Sequence, residues 1–262
     1  MAFAEINGQR IFYQDTGGSG PAVVLSHGFL MDHEMFAPQV EALRGAYRVV
    51  TWDERGFGAT EFDGEPFTYW DSARDLLGLM DHLGIDRAVL GGMSQGGFLS
   101  LRAALLAPER VRALILIDTQ AGPEDEDKVA EYQMMIDAWS AGGYDEGIAD
   151  IVAGLIIAEP EESERWKAKW RDWPKDNVVP CGGALLDRED LTGRLGEIQA
   201  PALVIHGTED EAIPMDKAER LASALPGADD VVAVEGAAHA PNLTHPEPVN
   251  AAIRAFLDDL PD

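Results

Sequence analysis

The chain has 262 residues, 46% of them hydrophobic, and a formal charge of −27. That length and composition suit one large α/β domain, or one domain with an insertion. A field of this sign repels nucleic acid and anionic membrane surfaces, which excludes both as expected partners, and no apolar run is long enough to span a bilayer.

Residues 1–5 lack the basic and then apolar layout of a signal peptide, and the single cysteine, Cys181, suits a reducing compartment. A cytoplasmic location is therefore expected, with Cys181 as an incidental buried thiol. The acids are spread along the chain. Only 124–127 and 159–164 form local runs, read as solvated loops or helix starts.

Taken in chain order, residues 3–6 and 10–14 flank Asn7-Gly8, a hairpin signal. Residues 15–21 are glycine-rich without the lysine of a phosphate-binding loop, so they read as a turn. Apolar runs at 22–26, 47–52, 87–92, 112–117, 202–206 and 231–234 lack strict alternation, as strands buried on both faces of a parallel sheet do. Amphipathic segments at 36–43, 70–83, 98–107, 215–224 and 249–260 predict helices. The fold class is then α/β: a doubly wound, mostly parallel sheet of about eight strands, with ligands at the carboxyl ends. One stretch, 119–199, carries helical periodicity and no good strand. It is expected to form a helical cap inserted after the sixth strand, leaving 1–118 and 200–262 as the core domain. Met134, Trp139, Ile157 and Trp166 are expected to face a substrate pocket, while the other aromatics of this stretch pack it onto the core.

Gly92-Met93-Ser94-Gln95-Gly96 lies between a predicted strand and a predicted helix. A serine on so tight a turn is strained, its hydroxyl stands above the sheet, and the helix N-terminus offers N–H groups to a developing oxyanion. The flanking glycines answer a steric need, since a Cβ there would strike the neighbouring strand or helix. Serine is a weak nucleophile at neutral pH and needs a base held by an acid. Asp210, in a turn just past a strand, and His239, in the loop after the last strand, would emerge on the same sheet edge. Their order, Ser, Asp, His, is the one this arrangement requires.

These motifs, with His27-Gly28-Phe29 after the third strand and Asp53-Glu54-Arg55-Gly56-Phe57-Gly58 after the fourth, make the sequence resemble the α/β-hydrolase family over essentially its whole length. The resemblance implies Ser94 as nucleophile, His239 as general base and then acid, and Asp210 as the residue orienting the imidazole. It implies backbone N–H groups of Phe29 and Gln95 as the oxyanion hole, and a small-to-medium ester or lactone as substrate. No cofactor or metal is expected, and no His, Cys or carboxylate cluster has convincing metal-ligand spacing. Asp118 is a second acid position that some relatives use. Glu209 should point away from the site; His27, His206, Asp53 and Arg55 read as structural, and His245 as leading into the last helix. The Gln95 side chain, where many relatives carry an apolar residue, could reach a polar part of the substrate. Serine at the elbow argues against epoxide and halide chemistry, for which such hydrolases use aspartate.

Other readings stay open at this point. They are a cofactor-free perhydrolase of the bacterial haloperoxidase type, an enol-lactonase or carbon–carbon bond hydrolase, and a slow-turnover ligand sensor. The second group acts on anionic substrates and needs a basic cap residue such as Arg165 or Arg171. A homo-oligomer is also left open.

Overall fold

A computed structural model describes residues 2–261; Met1, Asp262 and the side chain of Asp127, with the part of the 124–127 run that falls on it, lie outside that description. β1 (Ala2–Ile6) and β2 (Gln9–Asp15) form an antiparallel hairpin through Asn7 and Gly8, both at positive φ as a two-residue turn requires. Six more strands follow: β3 (Ala22–Ser26), β4 (Arg48–Trp52), β5 (Ala88–Met93), β6 (Val111–Ile117), β7 (Ala202–Gly207) and β8 (Val232–Val234). The sheet order is β1-β2-β4-β3-β5-β6-β7-β8, antiparallel across β1, β2 and β4 and parallel from β4 onward. The central strands β3 and β5 are buried at every position, which is why their sequences show no alternation.

Helices α1 (Ala37–Leu43), α2 (Tyr69–His82) and α3 (Gln95–Leu106) follow β3, β4 and β5 in turn. Four more, α4 (Glu126–Gly142), α5 (Glu146–Ile156), α6 (Pro160–Asp172) and α7 (Val178–Leu186), lie between β6 and β7. The chain closes with α8 (Met215–Ala224), α9 (Pro241–Thr244) and α10 (Pro246–Asp259). α1 packs on α10 and α2 on α3. Among the described residues no helix is long and apolar enough to cross a membrane.

Two features of this topology place the site. After β3 the chain moves out to β4, then returns to β5 on the other side of β3, so the loops leaving β3 and β5 diverge and open a crevice at the carboxyl ends. Ser26 is in register with Gly92, so Phe29 and Ser94 emerge side by side. The helices between β6 and β7 are tied down onto this rim. Trp170 Nε1 donates to Leu30 O (2.6 Å), and both Trp173 Nε1 and Asn177 Nδ2 donate to Gly56 O (2.8 Å each). Lys169 pairs with Asp32 at 2.6 Å.

Candidate active site

Ser94 is the first residue after β5 and caps α3, with φ 52° and ψ −114°, a conformation that costs a non-glycine residue of order 1–3 kcal/mol. Its surroundings over-determine that geometry. Ser94 N donates to Ile117 O (2.9 Å), and Thr119 Oγ1 donates to Ser94 O (2.8 Å). A Cβ on Gly92 would sit 2.0 Å from the Gly96 carbonyl carbon, and one on Gly96 would sit 2.0 Å from Ser26 O. The helix begins at Gln95 rather than at 98, because Gly96 and Gly97 let its first turn approach β3 and Thr119.

Asp210 and His239 come from the two loops that follow β7 and β8. Thr208 N donates to Val234 O and Glu209 N to Ala237 O, zipping the loops together, and a Cβ on Gly207 would lie 2.3 Å from Ala237 O. His239 Nδ1 meets Asp210 Oδ2 at 2.7 Å, while Asp210 Oδ1 accepts from Ala212 N (2.8 Å) and Ile213 N (3.0 Å). Burial pushes the Asp210 carboxyl up, but the charge and hydrogen bond of His239, with the Ile213 N–H, hold it below the usual carboxylate range. The neighbouring Glu209 is exposed.

Ser94 and His239 share the wall of one cavity of about 380 Å³. No hydrogen bond joins the serine hydroxyl to the imidazole among the described residues; in unliganded enzymes such bonds are often long and tighten with substrate. Phe29 lines the same cavity, in the turn that Met31 N closes onto Gly28 O (3.0 Å). Neither the Phe29 nor the Gln95 N–H has a protein acceptor among the described residues, and the first N–H groups of a helix have none within it.

Most of the remaining lining is apolar. Met134 and Met135 of α4, Ile148, Val152 and Leu155 of α5, and Ile213 contribute, with Glu124, Lys128 and Glu131 as the charged members. Lys128 is paired with Glu131 at 3.2 Å. Glu124, read from sequence as solvated, turns inward and pairs with Arg188 at 3.0 Å, the two side chains 7% and 1% exposed. Of the four residues expected at a pocket, Met134 lines this cavity, and Trp139, Ile157 and Trp166 lie elsewhere. Trp139 is fully buried, edge-on to Tyr144 and Trp173. Ile157 follows Ile156 and is turned off the cavity-facing side of α5. Trp166 packs under Lys169, whose ammonium stands 4.8 Å from its ring, and lines a separate cavity with Asp32 and His33. The lining residues missed include those of α5, whose apolar residues run around most of its circumference, leaving Ile151 73% exposed at the pocket, and Tyr132, Met135, Leu185 and Ile213 from other segments.

Other side chains find structural partners. The Gln95 amide is turned into the protein, where Tyr69 OH donates to its Oε1 (3.2 Å) beside the buried Glu54, so it does not reach the pocket. His27 Nδ1 donates to Gly28 O (2.8 Å) and its Nε2 accepts from Glu54 N (2.9 Å). Arg55 pairs with Asp75 at 2.7 Å, and Cys181 is buried. Arg165 is held by Glu34 and Glu162, and Arg171 by Glu146; neither lines the pocket.

Two side-chain groups gather in space what sequence spacing hid: Asp32, His33 and Asp53, and Asp118, His206 and Asp210. In the first, the carboxylate oxygens already accept from Glu34 N, Lys169, His33 and Ala59 N. In the second, His206 Nε2 donates to Ile213 O (2.7 Å) and Asp210 holds His239. We assign no metal to either.

A family model described as the alpha/beta hydrolase fold matches residues 21–246. The chain is 32% identical to a putative carbamate hydrolase RutD of Rhizobium rhizogenes, covering 90% of this chain and 92% of that one. It superposes on a thermophilic esterase from Thermogutta terrifontis with a TM-score of 0.91 at 29% identity, covering 99% and 98% of the two chains. The enol-lactonase from Burkholderia xenovorans LB400 gives a TM-score of 0.90 at 29% identity, covering 98% and 100%.

Proposed function

The chain belongs to the alpha/beta hydrolase fold family, and from that premise we propose a serine hydrolase acting on uncharged carboxylic esters or lactones of small to medium size. Residues 119–199 serve as its cap. Ser94 attacks the acyl carbon while His239, oriented by Asp210, takes the hydroxyl proton and returns it to the leaving alkoxide. The N–H groups of Phe29 and Gln95 hold the oxyanion, each donor contributing about 2.7–4 kcal/mol to the transition state. Water activated by His239 then attacks the acyl-enzyme and releases the acid.

The observation that carries this reading is the strained Ser94 sharing an apolar cavity with His239, which Asp210 grips at 2.7 Å. The same cavity supports the choice of an uncharged substrate. Among the described residues its lining cation, Lys128, is already paired, and the other charged side chains are the carboxylates Glu124 and Glu131. A substrate carboxylate entering there would lose water without gaining a partner. Lactones and carbamates, which the names of two relatives print, each carry a carbonyl carbon to which the acyl transfer proposed here applies.

A fluorophosphonate probe and a pair of p-nitrophenyl esters test the proposal. Wild-type protein should label at Ser94, Ser94→Ala should not, and the butyrate should turn over many times. A hemisuccinate of matching length should be poorer in kcat/KM by about tenfold or more. A folded protein left unlabelled at Ser94 refutes the nucleophile; preference for the hemisuccinate refutes the substrate class.

A further inference from the structure

Directly behind Asp210 lies a second carboxyl that the mechanism above does not use. Asp118 follows β6 with φ 43°, is fully buried, and brings an oxygen within 4.8 Å of Asp210 and of His206. Its Oδ1 accepts from Gly207 N at 2.9 Å; its Oδ2 is buried without any N–H or O–H donor among the described residues.

The groups facing it cannot neutralise a second anion. From the turn after β7 comes Asp210 itself, and from the loop after β8 comes His239, whose Nδ1–H is given to Asp210. From β7 comes His206, whose Nε2–H goes to Ile213 O while standing 3.4 Å from Asp210 Oδ2, and whose Nδ1 stands 3.7 Å from Asp118 Oδ1, beyond hydrogen-bond reach; burial disfavours its imidazolium. Tyr132 of α4, whose phenol feels the Asp210 charge and is kept protonated by burial, carries no positive charge. No Lys or Arg forms an ion pair with either carboxyl among the described residues. Two adjacent carboxyls in a buried space with no countercharge to spare do not both ionise.

We propose that Asp118 carries a proton and donates it as a hydrogen bond toward Asp210, making it a positioning residue for the Asp210–His239 pair. With the proton on Oδ2, the one oxygen of Asp118 that receives no hydrogen bond among the described residues becomes a donor, and Asp210 is its proposed acceptor. Burial, and then the Asp210 charge, push the Asp118 carboxyl well above the usual carboxylate range, in the same direction. With that proton in place, the cluster holds one negative charge, and Asp210 is an anion of moderated basicity. A second negative charge here would favour the imidazolium and withdraw His239 from general-base duty.

The inference rests on the catalytic roles proposed above, so its test pairs a readout that needs no activity with one that does. Infrared difference spectra at neutral pH should show the carbonyl stretch of a protonated carboxylic acid in wild-type and in Ser94→Ala protein. Buried Glu54, whose carboxyl burial also pushes up, contributes a band of the same kind, so the band of Asp118 is the one left in the wild-type minus Asp118→Asn difference. Because Asn keeps the Gly207 acceptor and stays neutral, the acidic limb of its kcat/KM profile should not move. Asp118→Ala, lacking the donor, should move that limb to higher pH. A wild-type minus Asp118→Asn difference without a protonated-carboxyl band, or an acidic limb falling by about one unit in Asp118→Asn, overturns the proposal, the second because it means a negative charge was removed. Loss of activity in Ser94→Ala tests the nucleophile separately, whatever the infrared band does.

Discussion

Trp170→Phe isolates a single hydrogen bond that links the helices between β6 and β7 to the turn carrying the proposed oxyanion donor Phe29. Trp170 Nε1 donates to Leu30 O at 2.6 Å, and Leu30 is the third residue of the Gly28–Met31 turn, with φ 62°. Glycine is the ordinary occupant of such a position; a side chain there costs about 1–2 kcal/mol. A buried carbonyl stripped of its donor costs about 1–3 kcal/mol, enough to balance that strain. Removing the indole N–H therefore frees Leu30 to relax, and the N–H of Phe29 moves with it. Complete loss of one oxyanion donor lowers kcat by about 10²–10³; a partial displacement should lower it by about tenfold to a hundredfold, with KM changed less than about threefold. Initial rates on a short neutral ester, with a thermal melt as control, read both numbers. Leu30→Gly removes the strain, so adding it to Trp170→Phe should restore part of the lost kcat. Unchanged kcat in a variant that merely melts earlier, or a double mutant no better than Trp170→Phe, would refute the link between latch and oxyanion hole.

Two further perturbations probe the frame around the site. Gly96→Ala puts a Cβ 2.0 Å from Ser26 O and 2.9 Å from His27 O, so backbone must move; chemical denaturation should register a loss of about 1–3 kcal/mol or more, and kcat should fall with it. His33 is bonded to Asp53 at 2.7 Å; burial lowers its pKa, but the Asp53 hydrogen bond and the Asp53, Asp32 and Glu34 charges outweigh this and leave it raised above 6.5. A raised histidine stabilises fully below its unfolded value and loses that contribution as pH rises through the folded value. The stability gap between wild type and His33→Gln should thus be wider at about pH 5.5 than at about pH 8.5 in urea titrations; an equal gap at both contradicts the assignment.

The sheet was readable because burial on both faces leaves a continuous apolar run, and each run at 22–26 through 231–234 became a strand within a residue or so of its expected ends. Ser94, Asp210 and His239 were readable because backbone chemistry fixes their neighbours: glycines at the elbow, a turn after β7, a loop after β8. Pocket walls follow a different rule. Whether a helical residue faces a cavity depends on how the helix is rotated about its axis when it docks, and sequence periodicity gives a stripe without saying what the stripe meets. Trp166, Trp170 and Trp173 form such a stripe. It meets the loops after β3 and β4, and the indole N–H groups of Trp170 and Trp173 at peptide carbonyls are its signature. Carboxyl pairing was likewise hidden, since Asp118 and Asp210 are brought together only by the β6–β7 register.

Backbone strain ties these observations together. Five non-glycine residues among those described have positive φ, and three of them, Leu30, Ser94 and Asp118, follow the carboxyl ends of β3, β5 and β6. These strands are neighbours in the sheet, so the strained residues stand along one rim. Each is pinned by a partner from a different part of the chain: Leu30 by Trp170, Ser94 by Ile117 and Thr119, and Asp118 by Ile205 O and Gly207 N. Strain of about 1–3 kcal/mol per residue persists only where the surroundings over-determine it. Three such residues on one rim, each next to or part of a group that the proposed acyl transfer uses, concentrate the cost where atoms must be aimed. The hairpin residue Asn7, by contrast, meets only the demands of a turn. On this reading the rim is rigid by construction, and substrate selection falls to the apolar helices above it, where Met134 and Ile151 are exposed beside the cavity and free to adapt.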